Sequence, residues 1–233
     1  LSKAENINLI KNALRSKGIV NETLINAILA VIGKESNFTP QSENLNYSAK
    51  RIQEVWSYIK PEEAAKLANN PAALANRVYG GKYGNITPAD SLAYRGRGFN
   101  QITFKNQYYN LSNKLGIDLI KNPDLLNQPE IAAQAVAQYY ADAFKNGYRI
   151  IQTRYNINIT NIPPGTDPLK LLKIATNANS GWRKDPAIVE KEYLKALPFF
   201  NDLQTLAGKP ITSKNNIILP LILLAVILLA LKK

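Results

Sequence analysis

NETLINAILAVIGKES, residues 21–36, decides the fold. Asn21 and the acidic Glu22 make a helix N-terminus, and Leu24, Ile25, Ile28, Leu29, Val31 and Ile32 then recur at helical spacing. The run is too apolar for a surface helix, so it predicts a central, buried one. Its end changes character at once. Glu35 follows directly on the apolar run, flanked by Gly33, Lys34, Ser36 and Asn37. A carboxylate at a helix C-terminus meets the negative end of the macrodipole, and nearby apolar surface disfavours its charge. Both effects favour the protonated form that a general acid requires. The plainer reading is a side chain pointing into water at a fraying helix end, and spacing alone favours it.

Working outward, helices are expected at 48–59, 61–68, 71–79, 129–144, 168–177 and 185–206, several opening with Pro in the first turn. Between 80 and 103 the segment GGKYGNITPADSLAYRGRGFNQIT carries glycines and aromatics with no helical period, which predicts irregular loops and a short hairpin. Loops of this composition line clefts in some proteins and are plain surface loops in others. The fold class is mainly α. Residues 208–216 read as a polar linker, and the last block, 217–233, as a C-terminal membrane anchor. Fifteen residues, 217–231, lack any polar side chain. As a helix they would span about 22 Å, short of a hydrocarbon core of about 30 Å. Lys214 on one side and Lys232 and Lys233 on the other are placed to snorkel to the interfaces, so a transmembrane helix in contact with lipid is expected over 217–231.

Composition narrows the chemistry. The 233 residues contain neither Cys nor His, which removes thiol nucleophiles, Ser-His-Asp triads and zinc sites built on those ligands. A hydrolase made from the remainder relies on carboxylates above all, the common solution for glycosidic bonds, with no metal and no cofactor. A net charge of +12 favours polyanionic surroundings. The basic residues are scattered and form no nucleic-acid motif, so no nucleic-acid partner is expected.

Four blocks go further: AVIGKESNFTPQSENLNYSAKRI (30–52), NNPAALANRVYGGKYGN (69–85), AYRGRGFNQITFKNQYYNL (93–111) and LGIDLIKNPDLLNQPEIAAQAVAQYY (115–140). In this order, over roughly residues 25–145, they resemble the phage endolysin branch of the glycoside hydrolase family 19 chitinase and lysozyme group. The resemblance implies a lysozyme-like helical domain over residues 1–207 that cleaves the β-1,4 glycan backbone of peptidoglycan. It makes Glu35 the general acid, Glu43 the base that activates water, and Thr103 a holder of that water. Gln101 would bind sugar and Arg97 would shape the cleft floor. Apart from the resemblance, Tyr47, Trp56, Tyr79, Tyr83, Tyr94, Phe99 and Tyr108 are candidate sugar-stacking faces, most of them expected to pack in the core or cleft wall, with Tyr47 and Tyr108 taken as the substrate contacts. Asp90 is the reserve base.

Glu35 and Glu43 are eight residues apart, about 12 Å on one continuous helix. Pro40 argues against continuity, and a turn there would allow the roughly 6.5–9.5 Å that admits a water and implies inversion. The chain departs from the family pattern in places. Lys34 stands where the family has His before the acid, the following Gly-Gly is reduced to Asn37, and the family's T-G-R-x-N-Y runs here from Thr103 to Tyr108 as TFKNQY. The string ESNFTP also resembles the signature of lytic transglycosylases, which use one Glu and no water. With the anchor, the expected protein is a tail-tethered lytic enzyme of a phage particle's membrane or a bacterial inner membrane. The alternative of another class is a non-catalytic, membrane-anchored virion structural protein on a retained hydrolase fold.

Overall fold

The computed structural model describes residues 1–206. Eleven helices are present among them: α1 (Lys3–Ser16), α2 (Glu22–Ser36), α3 (Ala49–Val55), α4 (Pro61–Leu67), α5 (Pro71–Tyr79), α6 (Pro88–Ala93), α7 (Lys105–Leu115), α8 (Pro129–Asn146), α9 (Tyr148–Tyr155), α10 (Pro168–Asn179) and α11 (Pro186–Leu206). The β pairing found among the described residues is one isolated antiparallel bridge, Arg97 to Ile102. The linker expected at 208–216 and the anchor expected at 217–233 lie outside the described residues. Among the described residues no helix is long and apolar enough to cross a membrane.

α2 is the central helix that its sequence predicts. The Asn21 side chain accepts the Leu24 amide at 2.9 Å as its N-cap, and every residue from Leu24 to Gly33 is buried. α10 and α11 pack on it, and α1 crosses α8 beside it. Burying a Leu or Ile side chain contributes about 1.5–3 kcal/mol, so the six large aliphatics of α2 dominate the stabilisation of this part. Two smaller cores flank it. Leu45, Ile52, Ile59, Leu74 and Val78 hold α3 to α5 together, and Tyr94, Ile102, Tyr108, Leu111 and Leu126 join the bridge loop to α7 and to the short 3-10 turn Pro123–Asn127.

Four helices lie beyond those expected. α1 is polar along most of its length and buries only Asn6, Ile10 and Leu14, but a capping box between Ser2 and Glu5 starts it. α7 buries only Tyr108 and Leu111, and α9 only Ile151. α6 forms inside the glycine-rich segment because Thr87 and Asp90 make a second capping box and Pro88 opens the first turn. The helix expected over 48–59 stops at Val55, and Trp56 caps it.

Candidate active site

The end of α2 is shaped by close packing. A Cβ on Gly33 would fall 2.6 Å from the Phe199 ring and 2.9 Å from the Phe38 ring, so glycine is what lets both aromatics close over the helix there. The chain then reverses at Asn37 (φ 49°) and Phe38 (φ 61°), both left-handed. This turn, and not Pro40, breaks the helix. A left-handed Phe costs about 1–2 kcal/mol, offset here by burial of its ring and by the Asn6 amide donating to its carbonyl at 2.9 Å.

The reversal leaves Glu35 half-buried at the edge of the main core. Asn179, at the end of α10, donates its side-chain amide to Glu35 Oε1 at 3.1 Å. The Lys34 Nζ lies 2.6 Å from the same oxygen and 2.5 Å from Glu192 Oε2 on α11. Burial works against the Lys34 charge, but Glu35 and Glu192 outweigh it and raise its pKa.

Glu43 is reached on the far side of the turn. Its backbone amide donates to the Gly96 carbonyl at 2.8 Å and its carbonyl accepts from Arg95 Nε at 3.2 Å, which stitches it to the bridge loop. The Tyr79 hydroxyl, from the end of α5, lies 2.8 Å from both carboxylate oxygens. Burial first, and then the Glu43 charge, push the Tyr79 phenol far up, so it keeps its proton and donates.

Gly96 is the meeting point of three expected site residues. A Cβ there would stand 2.7 Å from Gln101 Oε1 and 3.5 Å from both Glu43 Cβ and Thr103 Oγ1. The structure thus brings Glu43, Gln101 and Thr103 around one glycine. Gln101, itself left-handed at φ 52°, donates from Nε2 to the Gly98 carbonyl at 3.0 Å and the Gln41 carbonyl at 3.1 Å. Thr103 donates its hydroxyl to the Gln101 carbonyl at 2.9 Å, leaving its lone pairs free to accept.

The other expected contacts fall differently. Arg97 is 2% exposed and Tyr108 fully buried, so neither offers a face to a sugar. Arg97 donates to Asp124 and to the Tyr108 hydroxyl, and that hydroxyl donates to the Arg95 carbonyl at 2.8 Å. They brace the bridge loop from behind. Tyr47 is half-buried against Trp56, at 5.8 Å between ring centroids. Asp90 accepts from the Ile86 and Thr87 amides and pairs with Lys105 at 2.9 Å. Burial opposes its charge, yet these partners hold its pKa down at about 2, which suits a cap linking α6 to α7 and not a base.

Asn179 and Glu192 escaped the sequence reading, and Tyr79 was taken there as a candidate sugar-stacking face and not as the partner of Glu43. A cavity of about 620 Å³ lies between Phe104 and the segment Ser180 to Lys184, with Tyr83 and Trp182 in its wall. Among the described residues no cluster of three or more His, Cys, Asp or Glu is arranged to hold a metal ion.

No protein-family profile matches the chain. A glycosyl hydrolase family 19 domain-containing protein of Haemophilus influenzae is 29% identical over 176 residues, covering 72% of this chain and 88% of that protein. In structure the chain is similar to chitinase C from Streptomyces griseus, with a TM-score of 0.51 at 16% identity over 90% of this chain and 71% of the chitinase. The chitinase likeness speaks to the fold; the sequence likeness coincides with the family that the four blocks resemble.

Proposed function

We propose that this chain, similar in sequence to a glycosyl hydrolase family 19 domain-containing protein and in fold to a chitinase, hydrolyses the β-1,4 backbone of peptidoglycan by inversion, with Glu35 as acid and Glu43 as base. The observation that carries the reading is the pair itself: two half-buried carboxylates on separate elements, one set by Asn179 and Lys34, the other by Tyr79. Their environments differ, as the division of labour requires. Glu35 would protonate the departing glycosidic oxygen. Glu43, kept in place by a donor that does not give up its proton, would take the proton of the attacking water. The Thr103 hydroxyl, oriented by the Gln101 carbonyl beside Glu43, is placed to hold that water. A transglycosylase has no use for the second carboxylate, and the construction around Glu43 favours hydrolysis.

Peptidoglycan is preferred over chitin because the four sequence blocks resemble endolysins and a charge of +12 suits an anionic wall. Mass spectrometry of digests of purified peptidoglycan and of chitin oligosaccharides tests both points. Free reducing ends from peptidoglycan are expected; turnover of chitin alone rejects the substrate, and 1,6-anhydro sugars reject hydrolysis.

The same reading gives the enzyme a tether on a phage or bacterial inner membrane, supported by the apolar residues 217–231 and their flanking lysines. A chain ending at Ser213 is expected to stay active and to lose the flotation with lipid vesicles shown by the full chain. Equal partitioning of the two in a detergent-free buffer argues against the tether.

A further inference from the structure

An acid that must carry a proton sits beside a buried ammonium. Lys34 is 10% exposed and its Nζ lies 2.6 Å from Glu35 Oε1, so the cation and the proposed acid are in direct contact. The resolution lies on α11. Glu192 accepts from Lys34 at 2.5 Å and is itself held by Lys195 at 2.8 Å. Burial works against the Glu192 charge, but Lys195 and Lys34 outweigh it and lower its pKa, so Glu192 is a carboxylate at working pH. Lys34 thus has an ionised carboxylate partner besides Glu35.

We propose that Glu192 is a positioning residue for Glu35: it takes up the charge of Lys34, so that Glu35 is free to bear the proton it delivers. This rests on Glu35 being the acid. The remaining groups around Glu35 do not compete for that role. Asn179 on α10 is neutral, and Tyr139 and Tyr140 on α8 are phenols that burial first, with Glu35 contributing, drives further from ionising. Without Glu192, the buried ammonium has Glu35 as its one carboxylate partner among the described residues. An unpaired buried charge is costly, so the cation would hold Glu35 ionised.

The test is the pH profile of the full chain on peptidoglycan. Glu192→Gln is expected to lose up to about tenfold of kcat at pH 7 with KM within twofold, because the basic limb moves about one unit toward acid. Much of the activity should return at the lower pH. Adding Lys34→Gln removes the cation, and the double variant should recover to within about threefold of the parent. Glu192→Asp, which keeps the charge, should lose less than Glu192→Gln. A loss equal at every pH, or a double variant no better than the single one, overturns the proposal. If Glu192→Gln proves unfolded by thermal melting, Lys34→Gln alone must move the basic limb upward, and no movement overturns it equally. Carboxyl-carbon NMR of Glu35 follows its titration in the same variants without reference to turnover. It therefore separates a failure of this pairing from a failure of Glu35 as the acid, which would show as a Glu35→Gln variant that still cleaves.

Discussion

Glu35→Gln is expected to lower peptidoglycan cleavage by about 10³-fold, within the range that general acid catalysis supplies, while the melting temperature stays within a few degrees of the parent. The amide keeps the shape of the side chain and still offers an oxygen to the Asn179 amide. Lys34 loses one carboxylate contact and retains the other, Glu192, so no buried cation is orphaned. What the variant cannot do is deliver a proton to the leaving oxygen. Release of soluble reducing ends from purified walls measures the loss, and a melting curve separates it from unfolding. Activity within tenfold of the parent would reject Glu35 as the acid, since no other carboxylate is built into the end of α2.

How much of this was legible depends on where each partner comes from. α2 announced itself because its apolar residues surround the helix, and Glu35 stood out as the first carboxylate after that apolar run. α7 did not, because it buries only Tyr108 and Leu111, whereas α1 carries Ile7, Ile10 and Leu14 at helical spacing, a weaker signal than α2 because polar residues surround them. Tertiary packing makes them helices. The break after α2 was foreseen for the wrong residue: a buried Phe38 in a left-handed conformation has no sequence signature, whereas Pro40 does. The site shows the same division. Glu43, Gln101 and Thr103 were found through the resemblance, and their convergence on Gly96 is a matter of a close backbone approach. Tyr79 is 36 residues from Glu43, Asn179 is 144 from Glu35 and Glu192 is 158 from Lys34. No local pattern connects residues so far apart. One indirect signal was present: a lysine beside the expected acid needs a second anion, and the acidic residues of α11 were the place to look.

Glu43→Gln is expected to slow hydrolysis by about 10²-fold or more, the share of a general base, without converting the enzyme to another reaction. The argument turns on Tyr79. Its hydroxyl sits at 2.8 Å from both oxygens of Glu43, and burial together with the Glu43 charge keeps the phenol protonated. In the variant Tyr79 can still donate to the amide oxygen, so the side chain should stay in place and the loop anchored through the Gly96 carbonyl should not move. The amide has no basic oxygen with which to take a proton from water. The loss should therefore fall on kcat, with KM within about threefold, because the group removed acts on the attacking water. The parent reaction carries the complementary signature. If water attacks from the face opposite the leaving group, the first product observed by NMR has the α configuration at its new reducing end, before mutarotation erases it. A β product at the earliest times would mean retention and would remove Glu43 from the role of base in an inverting mechanism. A Glu43→Gln variant as fast as the parent, releasing 1,6-anhydro ends, would show that Glu35 works alone and that the contact between Tyr79 and Glu43 only braces the fold.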